Sequence, residues 1–358
     1  PDGKHIVYRK MGFDIMEDKS YGNLWILNTE GDNSQKLTTL DQSESSPVWS
    51  PDGSQIAFIS QGQNGTEIFM YWVKTGKFAR ITQLPKSPSS LTWSNNGQYL
   101  AFSMFVPSPS PVLAKMPKKP KGAKWAPKPR ITDRLNHESD GRGYIPTGFS
   151  HLFVMSKNGG MVRQVTSGSF QHRGPISWSK NDEMLYFSAN RNEDWEYDFR
   201  NSEVYTANVS TGKIEALTDR DGPDRSPKVS PNGNHIAFLG FDDKRQAYQN
   251  TLLYIMNPDG TQKEAISADL DMSISSVQWA PNSKGLYFRY DKHGNGKIGY
   301  IDLKGNFRHI ADNVGGTTLG RPYSSGMFSM SNNGAIAYTF STPAHPADIA
   351  VIDENGKD

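Results

Sequence analysis

A turn recurs along the whole chain, and its spacing limits the fold more than any other feature. Pro1-Asp2-Gly3 returns as Ser50-Pro51-Asp52-Gly53, Ser94-Asn95-Asn96-Gly97, Ser179-Lys180-Asn181-Asp182, Ser230-Pro231-Asn232-Gly233, Ala280-Pro281-Asn282-Ser283 and Ser331-Asn332-Asn333-Gly334. Measured at the last residue of each turn, the steps are 50, 44, 85, 51, 50 and 51 residues. A fixed period of this size belongs to a solenoid or a propeller. Proline presets φ near about −65° at the first turn position, Asp or Asn is tolerated next, and Gly accepts the positive φ that closes a hairpin.

Each turn leads into an apolar run: Ile56-Ala57-Phe58-Ile59, Leu100-Ala101-Phe102, Leu185-Tyr186-Phe187, Ile236-Ala237-Phe238-Leu239, Leu286-Tyr287-Phe288 and Ile336-Ala337-Tyr338. These read as buried strands. A second run follows, as in Glu67-Ile68-Phe69-Met70 or Glu203-Val204-Tyr205-Thr206. A Gly-containing turn such as Thr75-Gly76, Thr211-Gly212 or Asp259-Gly260 then opens an exit strand ending in Ile81-Thr82, Leu217-Thr218 or Ile266-Ser267. Four short antiparallel strands in about fifty residues make one propeller blade, and no helical periodicity is sustained anywhere. The expectation is an all-β, seven-bladed β-propeller of four-stranded antiparallel blades, one domain over residues 1–358.

The 85-residue step places an insertion, 107–150, in blade three. Its first part interleaves Pro107, Pro109, Pro111, Pro117, Pro120, Pro127 and Pro129 with Lys115, Lys118, Lys119, Lys121, Lys124, Lys128 and Arg130. Prolines remove ladder donors and like charges repel, so this stretch is expected as an exposed excursion rather than a central strand. In the repeat phase, the first blade lacks its opening strand and the last its closing one, which predicts flanking segments in the parent protein.

Composition removes several functions. A net charge of +2 is too small for phosphate neutralisation, so nucleic acid is not an expected partner. No apolar run is long enough to span a membrane, and the absence of cysteine excludes disulfides and thiolate metal sites. A Gly-x-Ser-x-Gly elbow, a phosphate-binding glycine loop and a His-Glu-x-x-His motif are all missing. Asp291-Lys292-His293-Gly294-Asn295-Gly296 has the look of a calcium loop opening, with Asp302 at the twelfth place. It joins two strands, however, and His293 replaces an oxygen ligand, so a hairpin turn is expected. The eight His are scattered among blades with no metal-binding spacing. No metal and no cofactor is expected, a metal at the axis of a lyase-like propeller being the alternative.

Two segments carry groups that bind polar ligands. In Asp133-Arg134-Leu135 through Asp140-Gly141-Arg142-Gly143-Tyr144, Arg134 and Arg142 could fork onto a carboxylate; the competing account is hydrogen bonds that pin the loop to the ring. In Arg191-Asn192-Glu193-Asp194-Trp195-Glu196-Tyr197-Asp198-Phe199-Arg200, carboxylates beside aromatic faces suit an ammonium; the competing account is an ordinary charged inter-strand loop. The candidate substrate-binding residues are Arg134, Arg142, Tyr144, Arg191, Glu196 and Asp198, with no catalytic residue in the chain.

The Ser-Pro-Asp-Gly, Ile-Ala-Phe pattern resembles the TolB-like, WD-type propeller repeats. The order of further segments is more specific: the Pro/Lys insertion, Asp133-Arg134-Leu135, Asp140 to Tyr144, His151-Leu152-Phe153-Val154, Arg163-Gln164-Val165-Thr166, Ser188-Ala189-Asn190-Arg191, Asp194-Trp195-Glu196, Phe241-Asp242-Asp243 after the fifth blade's inner strand, and Pro343-Ala344-His345-Pro346-Ala347-Asp348. Together they resemble the N-terminal propeller of acylaminoacyl-peptidase-like and dipeptidyl-peptidase-like members of the prolyl oligopeptidase family. The resemblance implies a serine peptidase whose propeller covers a C-terminal α/β-hydrolase domain and admits short peptides, so that domain and those peptides are the implied partners. It also implies homo-oligomers, and an exported, periplasmic location. The family's catalytic Ser, Asp and His have no counterparts in these 358 residues. In the dipeptidyl-peptidase branch an acidic pair holds the substrate amine, and Asp194-Trp195-Glu196-Tyr197-Asp198 is similar to that segment although it follows the inner strand here. A free-standing TolB-like ring that scaffolds protein partners is the alternative reading.

Overall fold

The computed structural model describes residues 1–40, 42–62, 65–109, 114, 117–127, 130–316 and 326–353. Pro111, Lys115, Lys128 and Pro129 of the Pro/Lys stretch lie outside the described residues. The described residues form strands and turns with no helix, hence no helix long and apolar enough to cross a membrane.

Seven sheets follow one another along the chain. Blade one holds β1 (His5–Asp14), β2 (Lys19–Asn28) and β3 (Gln35–Lys36). Blade two is β4 (Glu44–Trp49), β5 (Gln55–Gly62), β6 (Gly65–Trp72) and β7 (Lys77–Arg80). Blade three joins β8 (Pro88–Trp93) and β9 (Tyr99–Pro107) to β12 (Gly148–Ser156) and β13 (Arg163–Gln164). Between β9 and β12 stands a separate small hairpin, β10 (Glu138–Ser139) and β11 (Gly143–Tyr144). Blade four is β14 (Ser177–Trp178), β15 (Met184–Ala189), β16 (Glu203–Asn208) and β17 (Ile214–Ala216). Blade five is β18 (Asp224–Val229), β19 (Ile236–Gly240), β20 (Leu252–Met256) and β21 (Glu264–Ala265). Blade six is β22 (Ile274–Trp279), β23 (Gly285–Lys292), β24 (Asn295–Asp302) and β25 (Phe307–Ala311). Blade seven is β26 (Phe328–Met330), β27 (Ile336–Thr342) and β28 (His345–Ile352). All pairings are antiparallel, and the first and last sheets are three-stranded among the described residues.

The first strand of each complete blade is the innermost, since β4 meets β8, β14 meets β18, and β22 meets β18 and β26. The apolar run after each turn is therefore the second strand from the axis. This corrects the expectation that the Asp194 and Asp242 segments follow inner strands: they follow β15 and β19. Blade seven meets blade one where Asn332 N–H donates to the Pro1 carbonyl at 3.0 Å.

The turn is built by more than Pro-Asp-Gly. Ser50 Oγ donates to Asp52 Oδ1 at 2.6 Å and accepts Gln55 N–H at 2.9 Å, while Gly53 takes φ of 71°. Ser94 with Asn96, Ser179 with Asn181, and Ser230 with Asn232 repeat this contact. At the blade's other end, the Thr or Ser after the exit strand accepts a third-strand N–H: Thr82 from Ile68, Thr166 from Leu152 and Thr218 from Val204 at 2.9 Å, and Ser267 from Leu253 at 2.8 Å.

The core lies between blades rather than at the centre. Phe58, Phe102, Phe187, Phe238 and Phe288, one per second strand, are all fully buried. The first four stack on an aromatic directly across in the third strand: Phe69, Phe153, Tyr205 and Tyr254. Six apolar clusters fill the six interfaces from blade one to blade seven. Burial of these side chains, at about 25 cal/mol per Å², is the main force holding one blade to the next.

Candidate functional site

Antiparallel order divides the connections between two ends of the ring. Turns from first to second strand, and from third to outer strand, fall at one end. Links from second to third strand, and from each outer strand to the next blade, fall at the other. That second end carries every long connection: the segment between β9 and β12, the Arg191–Arg200 loop between β15 and β16, and residues 241–251 between β19 and β20. All six candidate residues therefore lie at one end.

The start of β12 gathers three of these elements. Arg134 Nη1 donates to the Gly148 carbonyl at 3.3 Å, and its guanidinium lies 4.3 Å from the centre of the Phe149 ring. Phe149 in turn meets Trp195 edge-on at 6.4 Å, which ties the charged loop of blade four to blade three. Gln171, in the link into blade four, accepts Ser150 N–H at 2.9 Å. Arg134 thus ties its segment to the start of β12. Arg142 closes the small hairpin, its N–H donating to Ser139 at 3.0 Å, and Tyr144 on that hairpin carries the Arg130 guanidinium 3.6 Å above its ring. Tyr144 is half exposed.

Beneath this surface lies a buried relay. His151 Nδ1 and His172 Nδ1 are 3.0 Å apart, and His172 Nε2 is 2.6 Å from Arg191 Nη1. A guanidinium can only donate, so His172 accepts at Nε2, carries its proton on Nδ1 and donates it to His151 Nδ1. His151 then holds its own proton on Nε2. Burial, then the Arg191 charge, push both rings below the ordinary imidazole range, His172 to about 3. Arg191 also lies 5.0 Å from the centre of Phe170 and 5.6 Å from that of Tyr205.

The two candidate carboxylates have different surroundings. Glu196 is half-buried, and its Oε1 has no hydrogen-bond partner among the described residues. Asp198 lies 3.7 Å from Arg245 of the blade-five loop, which also faces Asp221 at 3.5 Å and Asp243 at 3.8 Å. Nearby, Arg220 pairs with Asp224 and Asp242 and lies 4.2 Å from the centre of the Tyr254 ring. Burial raises Asp224 above the usual carboxylate range, and it raises Glu203, which accepts from Thr218, to about 7. Reading the sequence missed His151, His172, Arg220 and Arg245. The repeat does hold a signal for the first: His151 occupies the third-strand position filled by Glu67 in blade two and Glu203 in blade four, each fifteen residues before the Thr or Ser that follows the exit strand. Among the described residues, no group of three His, Asp or Glu is arranged to hold a metal.

The seven sheets define a β-propeller with its long connections collected at one end. Residues 124–242 match the family described as the dipeptidyl peptidase IV N-terminal region. Over 337 residues the chain is 28% identical to dipeptidyl-peptidase 5 of Porphyromonas gingivalis, an alignment covering 87% of this chain and 46% of that protein. An acylaminoacyl peptidase of Pyrococcus horikoshii superposes with a TM-score of 0.72 at 16% identity, over 99% of this chain and 50% of that one. The β-propeller domain of the Trilobed protease from Pyrococcus furiosus gives 0.66 at 14% identity, over 98% and 92%. The chain is thus similar in sequence to dipeptidyl-peptidase 5 and in fold to the propellers of these peptidases, and it spans about half the length of the peptidases it matches.

Proposed function

We propose that this ring is the substrate-gating and docking domain of a serine exopeptidase or oligopeptidase, without catalytic groups of its own. The observation that carries this reading is the collection of all long connections, including the blade-three insertion, at one end of a ring whose relatives are peptidases of about twice its length. That end packs against a C-terminal α/β-hydrolase domain. Folded proteins are too wide to pass the ring and its loops, whereas short peptides reach the hydrolase, so selection by size is steric. Arg134, Arg191, Glu196 and Asp198 contact the peptide from the ring surface, and Arg142 and Tyr144 from the hairpin that overhangs it.

The test uses the parent polypeptide isolated from native extract and treated with a fluorophosphonate probe for active serines. A labelled chain well above 39.9 kDa, cleaving short peptides and sparing their folded fusions, supports the reading. An unlabelled chain near 39.9 kDa overturns it in favour of a free-standing scaffold.

A further inference from the structure

Two of the buried or half-buried guanidiniums at this end of the ring have a carboxylate partner. Arg220 faces Asp224 and Asp242, and Arg289 faces Asp291 at 2.7 Å. Arg191 is different. Among the described residues it has no acidic group within ion-pair distance, and one N–H, on Nη1, is bonded to a neutral imidazole. A guanidinium has five donors in a planar fork, and the contact with His172 uses one of them. Arg134, on the other side of the Gly148–His151 stretch, likewise meets a carbonyl and an aromatic face rather than an acid.

The repeat sharpens this point. Where blades two and four bury Glu67 and Glu203, blade three buries His151. A glutamate there would supply a negative charge at this junction. His151 instead donates nothing to Arg191 and accepts from His172, which fixes the His172 tautomer and keeps its Nε2 free to hold the guanidinium. The arrangement orients a cation without neutralising it, with the Phe170 and Tyr205 rings centred 5.0 Å and 5.6 Å from it.

We propose that Arg191 is an anchor for a peptide carboxylate, received in the plane of its guanidinium between Phe170 and Tyr205, and that His151 and His172 are positioning residues for it. This rests on the reading that the end of the ring carrying the long connections faces peptide. It names the chemistry recognised there as anionic. The α-carboxylate of a short peptide and an acidic side chain share that chemistry.

The test is an imidazole ¹⁵N NMR titration of the 358-residue chain with three probes: N-acetyl-Gly-Gly acid, N-acetyl-Glu amide and N-acetyl-Gly-Gly amide. The expected result is a saturable shift of the His172 nitrogens with one or both acids and none with the neutral amide. A response to the first acid alone assigns an α-carboxylate, and to the second alone a side chain. Arg191→Lys should weaken binding at least tenfold, because an ammonium has no fork, and Arg191→Gln should abolish it. Equal shifts with acid and amide, or no shift with either acid, overturn the proposal; so does undiminished binding by folded Arg191→Gln. Should that variant not fold, the acid-against-amide comparison and the Lys variant still decide. Because the titration uses the ring alone, its failure leaves the fluorophosphonate result untouched, and a failed labelling leaves the carboxylate result standing.

Discussion

The Nδ1 atoms of His151 and His172 lie 3.0 Å apart in the interior of the blade three–four junction, and only one of them can carry a proton. Each ring accepts at one nitrogen, His172 from Arg191 and His151 from His172, so both are neutral in the folded protein, and a protein that buries neutral imidazole must lose stability when acid protonates its unfolded chain.

The pH dependence follows with its sign. Unfolded, His172 takes up a proton near 6.5; folded, it does so only near about 3. Between these values the unfolded state binds more protons, so this group's contribution falls as pH falls, with a limiting slope of about 1.4 kcal/mol per pH unit. Glu203 acts oppositely. Its folded value is raised from 4.5 to about 7, so its contribution is complete below the unfolded value and is lost as pH rises through the folded one. From about pH 4.5 to about pH 6.5 the two slopes cancel. Relative to wild type, His172→Gln should gain stability as pH drops across this window and Glu203→Gln should lose it. Urea midpoints at several pH values check this, and parallel curves for all three proteins would refute it.

Indole hydrogen bonds between blades set up a second contrast. Trp93 Nε1 donates to the Val48 carbonyl at 3.1 Å and Trp279 Nε1 to the Lys228 carbonyl at 2.8 Å, each reaching the inner strand of the preceding blade. Trp178 occupies the same place in blade four, and its Nε1 is buried without an acceptor among the described residues. Trp279→Phe leaves a carbonyl bare, which costs about 1–3 kcal/mol beyond the lost area, whereas Trp178→Phe removes a donor that was never satisfied. The expected result is a clearly lower denaturation midpoint for the first variant than for the second. Equal losses would count against it.

Blade six breaks the aromatic pairing of blades two to five. Phe288 stands opposite Gly299, and the Phe307 ring fills the space from the outer strand. A Cβ on Gly299 would sit 2.7 Å from Phe307 Cε2 and 3.1 Å from Phe288 Cζ. Gly299→Phe should therefore destabilise the wild type by about 1–3 kcal/mol through overpacking. Combined with Phe307→Ala it should be far better tolerated, since the pair seen in blades two to five is then restored. A double-mutant cycle with a coupling below about 0.5 kcal/mol would show that the two rings do not compete.

These contrasts mark where the sequence was legible. Seven blades could be read because the Ser-Pro-Asp-Gly turn and the Ile-Ala-Phe strand are local signals, each encoded within about ten residues and repeated. That the strand after the turn is second from the axis could not be read, because position across a sheet depends on the neighbouring blades. The site was half legible. Arg134, Arg191 and the Asp194–Asp198 loop stood out by composition, and all lie at one end of the ring. Their partners are set by packing: Trp195 on Phe149, His172 between His151 and Arg191, and Asp198 beside Arg245 of the next blade. The substitution of His151 for a repeated Glu is a one-residue signal, visible only once the blades are aligned in register.

Bent inner strands give the last prediction. Ser46, Ser90, Ser226 and Ser276 each lie three residues before the end of an inner strand with φ between 51° and 57°, and the pairing register shifts at each. The same distortion in four blades makes it a built bulge that bends the inner strand. A non-glycine residue in the left-handed region carries strain of about 1–3 kcal/mol, greatest for a β-branched side chain. Ser90→Gly should be neutral or stabilising, because glycine enters that region without a Cβ clash, whereas Ser90→Val should lower stability by about 1–2 kcal/mol. Ser103 Oγ, which lies 2.8 Å from Ser89 Oγ and 3.4 Å from the Ser89 carbonyl, keeps its partners in both variants, so the difference reports backbone conformation alone. Thermal or urea unfolding of the two variants decides, and a valine variant as stable as the glycine one would show that the serine conformation is not strained.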